Sequence, residues 1–201
     1  MSEGLIASVA AAFAATSAAE FCAVLLGLVY VVLAARGSRW CWPVGGCSAA
    51  LLAVLSWQAQ LPMQAILQVW YVAMALYGWR RWSAAATARP GWWPWTHHVV
   101  AIGAALLLCI PVTLLLRQQL SSASPWIDSG TTLLSLVATW LTARMRIESW
   151  LYWIAIDAVL AWLYAAQGLR ATALLFGVYL FVAVVGLVSW LKLYRLQNSQ
   201  G

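Results

Sequence analysis

Residues 149–166 read SWLYWIAIDAVLAWLYAA, eighteen positions that carry a single charge, Asp157. As a helix rising 1.5 Å per residue the stretch is about 27 Å long, enough to cross the roughly 30 Å hydrocarbon core of a bilayer. The rest of the chain agrees with a lipid setting. Hydrophobic residues make up 65% of the 201 positions and charged residues 8%, against roughly 25% charged in soluble domains. Eleven basic and five acidic side chains cannot keep a body of this size in water. The chain reads as an all-α integral membrane protein. It has no room for a soluble catalytic or nucleotide-hydrolysing domain, no Walker-type run and no metal-ligand spacing, so neither a cofactor nor a metal is expected. The four cysteines lie in or beside apolar runs without a paired spacing and read as small buried hydrophobes.

Breaks at charges, Gly and Pro divide the chain into seven transmembrane spans: 20–35, 40–57, 62–79, 98–116, 126–142, 149–166 and 171–190. The net charge of +6 then concerns orientation and not nucleic acid. Arg36, Arg39, Arg80, Arg81, Arg89, Arg144, Arg146, Lys192 and Arg195 fall on one side, and Arg117 and Arg170 on the other. Nine against two places the N-terminus outside and the C-terminus in the cytoplasm. Residues 1–19 read as an N-terminal interfacial segment, the alternative being an extra span over 5–19 that would start the chain in the cytoplasm, and Ser17-x-x-Glu20 forms a capping box for the first span. Trp40, Trp42, Trp79, Trp82, Trp140, Trp150 and Trp190 sit near cytoplasmic span ends, and Trp57, Trp126 and Trp162 near outer ends. They read as an interfacial aromatic belt. Glu148, four residues after Arg144, reads as its ion-pair partner.

The chain also repeats itself. At an offset of 108, residues 20–82 overlay residues 128–190 without gaps and nineteen of 63 positions match, where roughly six would match by chance. Arg36/Arg144, Trp42/Trp150, Tyr71/Tyr179, Gly78/Gly186 and Trp82/Trp190 are the informative identities. A three-helix unit ends on the side opposite its start, so one further helix is needed before a parallel copy begins. The organisation is therefore 3+1+3. The first repeat covers 20–82, a linker region 83–125 contains the helix 98–116, the second repeat covers 126–195, and a cytoplasmic tail covers 196–201. Parallel repeats of this kind occur in transporters that bind substrate between the halves.

Asp157 is the one acid at the centre of a span. A carboxylate there costs at least about 2.5–3.5 kcal/mol on insertion scales, so it must face protein or water. Trp150, Trp153 and Asp157 share a helical face, which Tyr164 continues. Gln64, Gln68 and Tyr71 make a polar stripe on the third span, and Asp128, Thr132, Ser135 and Thr139 another on the fifth. The fifth-span stripe has an equally good reading as helix packing by small polar residues. Aromatic faces beside polar groups suit a flat, polar, cationic ring.

On these residues the sequence resembles the PnuC-type nicotinamide riboside transporters of bacterial inner membranes. The matching text runs from Leu33-Ala-Ala-Arg36 and Trp40-Cys-Trp-Pro43 through Leu67-Gln68 and Tyr77-Gly-Trp79. It continues through Ala143-Arg144, Glu148-Ser-Trp150 and Trp153-Ile-Ala-Ile-Asp157 to Gly168-Leu, Gly186 and Trp190. The resemblance implies a SWEET-like fold and facilitated diffusion of an unphosphorylated vitamin that a cytoplasmic kinase then traps. It also implies a homotrimer. Trp153 and Asp157 become the leading substrate contacts, with Gln68 and Tyr71 beside them. Gln64, Asp128, Thr132, Ser135, Thr139 and Trp150 form a second tier. Gln167 and Arg170 depart from the Lys and aromatic residue of the family text, and the only asparagine is Asn198. Those departures leave the vitamin open: nicotinamide riboside leads, thiamine, also a cationic ring, is the alternative, and riboflavin, neutral and larger, ranks behind both. A membrane-embedded enzyme is disfavoured, because no second mid-depth acid accompanies Asp157. A receptor or purely structural role leaves that acid without a purpose.

Overall fold

The first span begins where its capping box predicts. The Ser17 N–H donates to Glu20 Oε2 at 2.7 Å and the Glu20 N–H to Ser17 Oγ at 3.2 Å, which satisfies two of the N-terminal donors a helix leaves open. The structure, a computed structural model, describes residues 17–59, 62–84, 89–116 and 125–199. Most of the expected interfacial segment 1–19, and Arg117, lie outside the described residues. Among those described there are seven helices: α1 (Ala18–Ala35), α2 (Cys41–Gln58), α3 (Pro62–Ser83), α4 (Trp95–Leu116), α5 (Pro125–Ala143), α6 (Ser149–Ala166) and α7 (Arg170–Asn198). α1, α4, α6 and α7 are each long and apolar enough to cross a membrane.

Three helix ends differ from the expected spans. α3 runs on through Arg80 and Arg81, α4 starts at Trp95 and so includes both histidines, and α7 continues past Lys192 to Asn198. Charge marks where lipid ends; a helix needs only its backbone bonds and continues into the aqueous layer. The tail 196–201 is thus helical as far as Asn198.

Consecutive helices pack within each repeat, and the repeats meet through α1 on α7 and α3 on α5. The first helix of each repeat therefore lies on the third helix of the other. Followed by contact, α1, α2, α3, α5, α6 and α7 close a ring. α4 stands outside it against α5, with Val100 and Leu107 about 70% exposed on its outer side.

Four tryptophans assigned to the aromatic belt are instead the core of this ring. Trp42, Trp82, Trp150 and Trp190 are 0–5% exposed. Trp42 lies over Gly78 and its repeat mate Trp150 over Gly186; a Cβ would come within 2.2 Å of the first indole and 2.7 Å of the second. Only glycine permits that approach. Trp82 then meets Trp42 edge-on at 5.4 Å, as Trp190 meets Trp150. The Trp82 indole donates to Ala143 O and that of Trp190 to Ala34 O, both at 3.0 Å, so each ties its own repeat to the other. Trp40, Trp57, Trp126 and Trp162 are 51–66% exposed, as belt residues should be.

The turns that close the two first helices also correspond. After α1, Gly37 N–H donates to Ala34 O and Ser38 N–H to Leu33 O, with Gly37 at φ +68°. After α5, Met145 N–H donates to Thr142 O and Arg146 N–H to Leu141 O, with Met145 at φ +52°. Both are Schellman turns, but the second holds a methionine where glycine is the usual residue. Among the described residues, only this second turn is fastened to the segment before α4. Gly91 N–H donates to Met145 O at 3.1 Å, Ile147 N–H to Gly91 O at 3.0 Å, and Arg146 Nη1 to Trp92 O at 2.9 Å. Glu148 accepts from the Trp93 N–H and pairs with His98 Nε2 at 3.2 Å. This corrects the expected pair with Arg144, whose guanidinium lies 4.3 Å over the Trp140 ring.

Candidate substrate-binding site

All six ring helices contribute to a central cavity of about 360 Å³. It lies toward the end of the ring that holds loops 36–40 and 144–148, because it reaches Ala34, Trp42, Thr142 and Trp150 at the helix ends there. Trp153, Asp157, Gln68 and Tyr71 all line it, as do Trp150 and Thr139 from the second tier. Gln68 and Asp157 are only 7% and 6% exposed, and neither side chain has a hydrogen-bond partner among the described residues. Buried polar groups are normally paired. Here the amide and the carboxylate line the cavity instead.

Trp153 is held in place: its indole N–H donates to Thr142 Oγ1 at 3.3 Å, and Thr142 donates onward to Ala138 O at 2.9 Å. The indole is thereby fixed at the cavity wall, with a carboxylate one helical turn away on the same helix face. Trp150 contributes less, since most of its ring is spent on Gly186 and Trp190.

Four second-tier residues do not reach the cavity lining. Gln64 is exposed, one turn beyond Gln68 toward the far end of α3. Asp128 and Thr132 sit toward the start of α5, above the depth at which Thr139 and Thr142 reach the cavity. Ser135 lies behind Tyr71, its Oγ 2.8 Å from the phenol oxygen. Tyr164, expected to continue the Asp157 face, stacks at 5.4 Å on Phe176, which does line the cavity.

The sequence reading missed Tyr30, Ser48, Thr142, Phe176 and Tyr179 as lining residues. The repeat held part of the signal, because Tyr179 is the mate of Tyr71. Across mates the cavity is uneven. Val31, Ala34, Gly45 and Ala49 of the first repeat face it where the second repeat has Thr139, Thr142, Trp153 and Asp157. At Tyr30, Ser48 and Gln68, the mates of Ala138, Ile156 and Phe176, the first repeat is the more polar.

A family model described as nicotinamide mononucleotide transporter matches residues 17–192. The chain belongs to that family. The riboflavin/roseoflavin transporter RibM of Streptomyces davaonensis is 29% identical over 173 residues, covering 83% of this chain and 81% of that protein. The nicotinamide riboside transporter PnuC of Escherichia coli is 27% identical over 205 residues, with 88% and 86% covered. A crystal structure of the vitamin B3 transporter PnuC superposes with a TM-score of 0.71 at 22% identity, covering 95% of this chain and 90% of that one. It shares the fold. This transporter is thus a multi-pass membrane protein and not an enzyme.

Proposed function

We propose that the protein carries nicotinamide riboside across a bacterial inner membrane by facilitated diffusion, its substrate being trapped afterwards by a cytoplasmic kinase. The observation that supports this most is the unpaired, buried Asp157 beside the fixed face of Trp153. A pyridinium ring over Trp153 gains a cation–π contact, and ribose hydroxyls find acceptors in Asp157 and Gln68, with Tyr71 near. Nothing in the sequence supplies ATP hydrolysis, and a single acid at membrane depth is a poor basis for ion coupling. Labelled nicotinamide riboside should therefore equilibrate across proteoliposomes with no imposed gradient. Accumulation that requires an ion gradient would overturn uniport.

Riboflavin is the second reading, favoured by the likeness to RibM; the same assay with riboflavin, and with thiamine as the other cationic ring, decides between them. In this reading the basic loops and the C-terminus face the cytoplasm. A Ser199→Cys variant on a Cys-free background should escape impermeant thiol reagents added to intact cells, and labelling there would reverse the map. A homotrimer would bury the outer face of α4, and the mass of the detergent-solubilised protein tests it.

A further inference from the structure

Tyr71 and Tyr179 are repeat mates, and so are Ser135 and Gly27. Tyr71 on α3 reaches across to α5 and its hydroxyl is paired with Ser135 at 2.8 Å. Tyr179 on α7 reaches across to α1 in the same way and arrives at Gly27, where a Cβ would stand 3.1 Å from its hydroxyl. The two phenols thus make equivalent crossings between the repeats. One finds a serine hydroxyl and the other finds none. Ser48, the nearest other hydroxyl to that point, already donates to Ala23 O at 2.7 Å. No hydrogen bond holds the Tyr179 hydroxyl among the described residues, and it lies within electrostatic range of Asp157 at the cavity.

We propose that Tyr179 is a substrate-binding residue, kept free for that task by the glycine at position 27, and that with Asp157 it recognises a polyhydroxylated chain or sugar. The chemistry is complementary. The carboxylate accepts hydrogen bonds and the phenol both donates and accepts, so neighbouring hydroxyls on one ligand engage the two together. Ribose and the ribityl chain of riboflavin both offer such hydroxyls, while thiamine has a single one. The inference rests on the vitamin-site reading above and narrows it to hydroxyl-rich substrates.

The test is binding of nicotinamide riboside and of riboflavin to purified protein, read by tryptophan fluorescence, alongside melting temperature. Tyr179→Phe should weaken whichever vitamin binds the wild type by about three- to tenfold, the weight of one hydrogen bond, and leave the melting temperature unchanged. Gly27→Ser should weaken it similarly, by giving Tyr179 the partner that Tyr71 has. Tyr71→Phe, which breaks an existing bond, should lower the melting temperature. If Tyr179→Phe binds like wild type while Asp157→Asn is weakened, the vitamin site stands and the role of Tyr179 is refuted. A fall in the melting temperature of Tyr179→Phe would also refute it, by showing that the hydroxyl is structural. Should Asp157→Asn bind normally too, or should neither vitamin bind the wild type, the site reading fails and takes this inference with it.

Discussion

The two repeats agree where they hold each other and differ where they face the cavity. Trp42 on Gly78 recurs as Trp150 on Gly186, and Trp82 and Trp190 both tie their own repeat to the other. Facing inward, Gly45 and Ala49 stand where the other repeat has Trp153 and Asp157. The difference teaches that packing between parallel copies constrains both members of a pair equally. A small ligand on the axis between them does not, because an asymmetric molecule needs an asymmetric lining. The cavity's carboxylate and Trp153 thus come from the second repeat, while the first supplies space together with Tyr30, Ser48 and Gln68.

The strongest way to break the scaffold half of this comparison is Gly78→Ala. Its methyl would meet the Trp42 indole at 2.2–2.5 Å, and we expect a destabilisation at or beyond the top of the roughly 1–3 kcal/mol range for overpacking. Gly186→Ala, with nearest contacts at 2.7 Å, should cost less. Melting temperatures in detergent rank the two, and the reverse order would show that the second indole is the more rigid.

Trp153→Ala probes the lining half. It removes a cation–π contact worth roughly 0.5–2 kcal/mol of binding, readable as a rise in Kd for nicotinamide riboside. Trp95→Ala, 78% exposed at the start of α4, should leave Kd unchanged. Equal Kd values for both variants would move the substrate away from Trp153.

The two Schellman turns sharpen the comparison further. Gly37→Ala forces a side chain into the left-handed region at about 1–2 kcal/mol, so its melting temperature should drop. Met145 already bears that cost, with its side chain buried in the core at 3% exposure. Replacing it by glycine relieves the backbone but empties core volume, and the loss of packing should outweigh the relief, giving a net loss of stability.

The smallest effect belongs to the tryptophan ties. Trp82→Phe and Trp190→Phe each lose one hydrogen bond, about 0.5–1.5 kcal/mol. The first should be the worse, because Ala34 O also accepts the Gly37 N–H, whereas among the described residues Ala143 O accepts from Trp82 alone. Equilibrium unfolding of the two variants compares them directly.

Much of this was legible in the amino-acid order. Asp157 betrayed itself because no apolar helix carries a carboxylate at its centre without a use, and the 108-residue offset revealed the parallel halves. Trp42, Trp82, Trp150 and Trp190 were misassigned for a physical reason: an indole near a helix end suits a lipid interface and a buried crossing equally well. The glycine recurring at 78 and 186 was not itself decisive; its partnership with Trp42 and Trp150 was. On α5, periodicity placed Asp128, Thr132, Ser135 and Thr139 on one face, but a helical period says nothing about how far along that face a cavity extends. Glu148 was matched to Arg144 by local spacing, and lost to His98 because that partner comes from a distant segment.

The fastening of Gly91 to the turn at Met145–Ile147 has a mechanical consequence. α4 packs on α5 and its leading segment is sewn to the same repeat, so any displacement of one half against the other would carry α4 with the second. The chain passes from one half to the other between Ser83, where α3 ends, and Gly91. Eight peptide steps reach at most about 29 Å when fully drawn out. That length is a leash: it caps how far the ends of α3 and of the second repeat's turn can part on this face of the membrane, whatever the cargo.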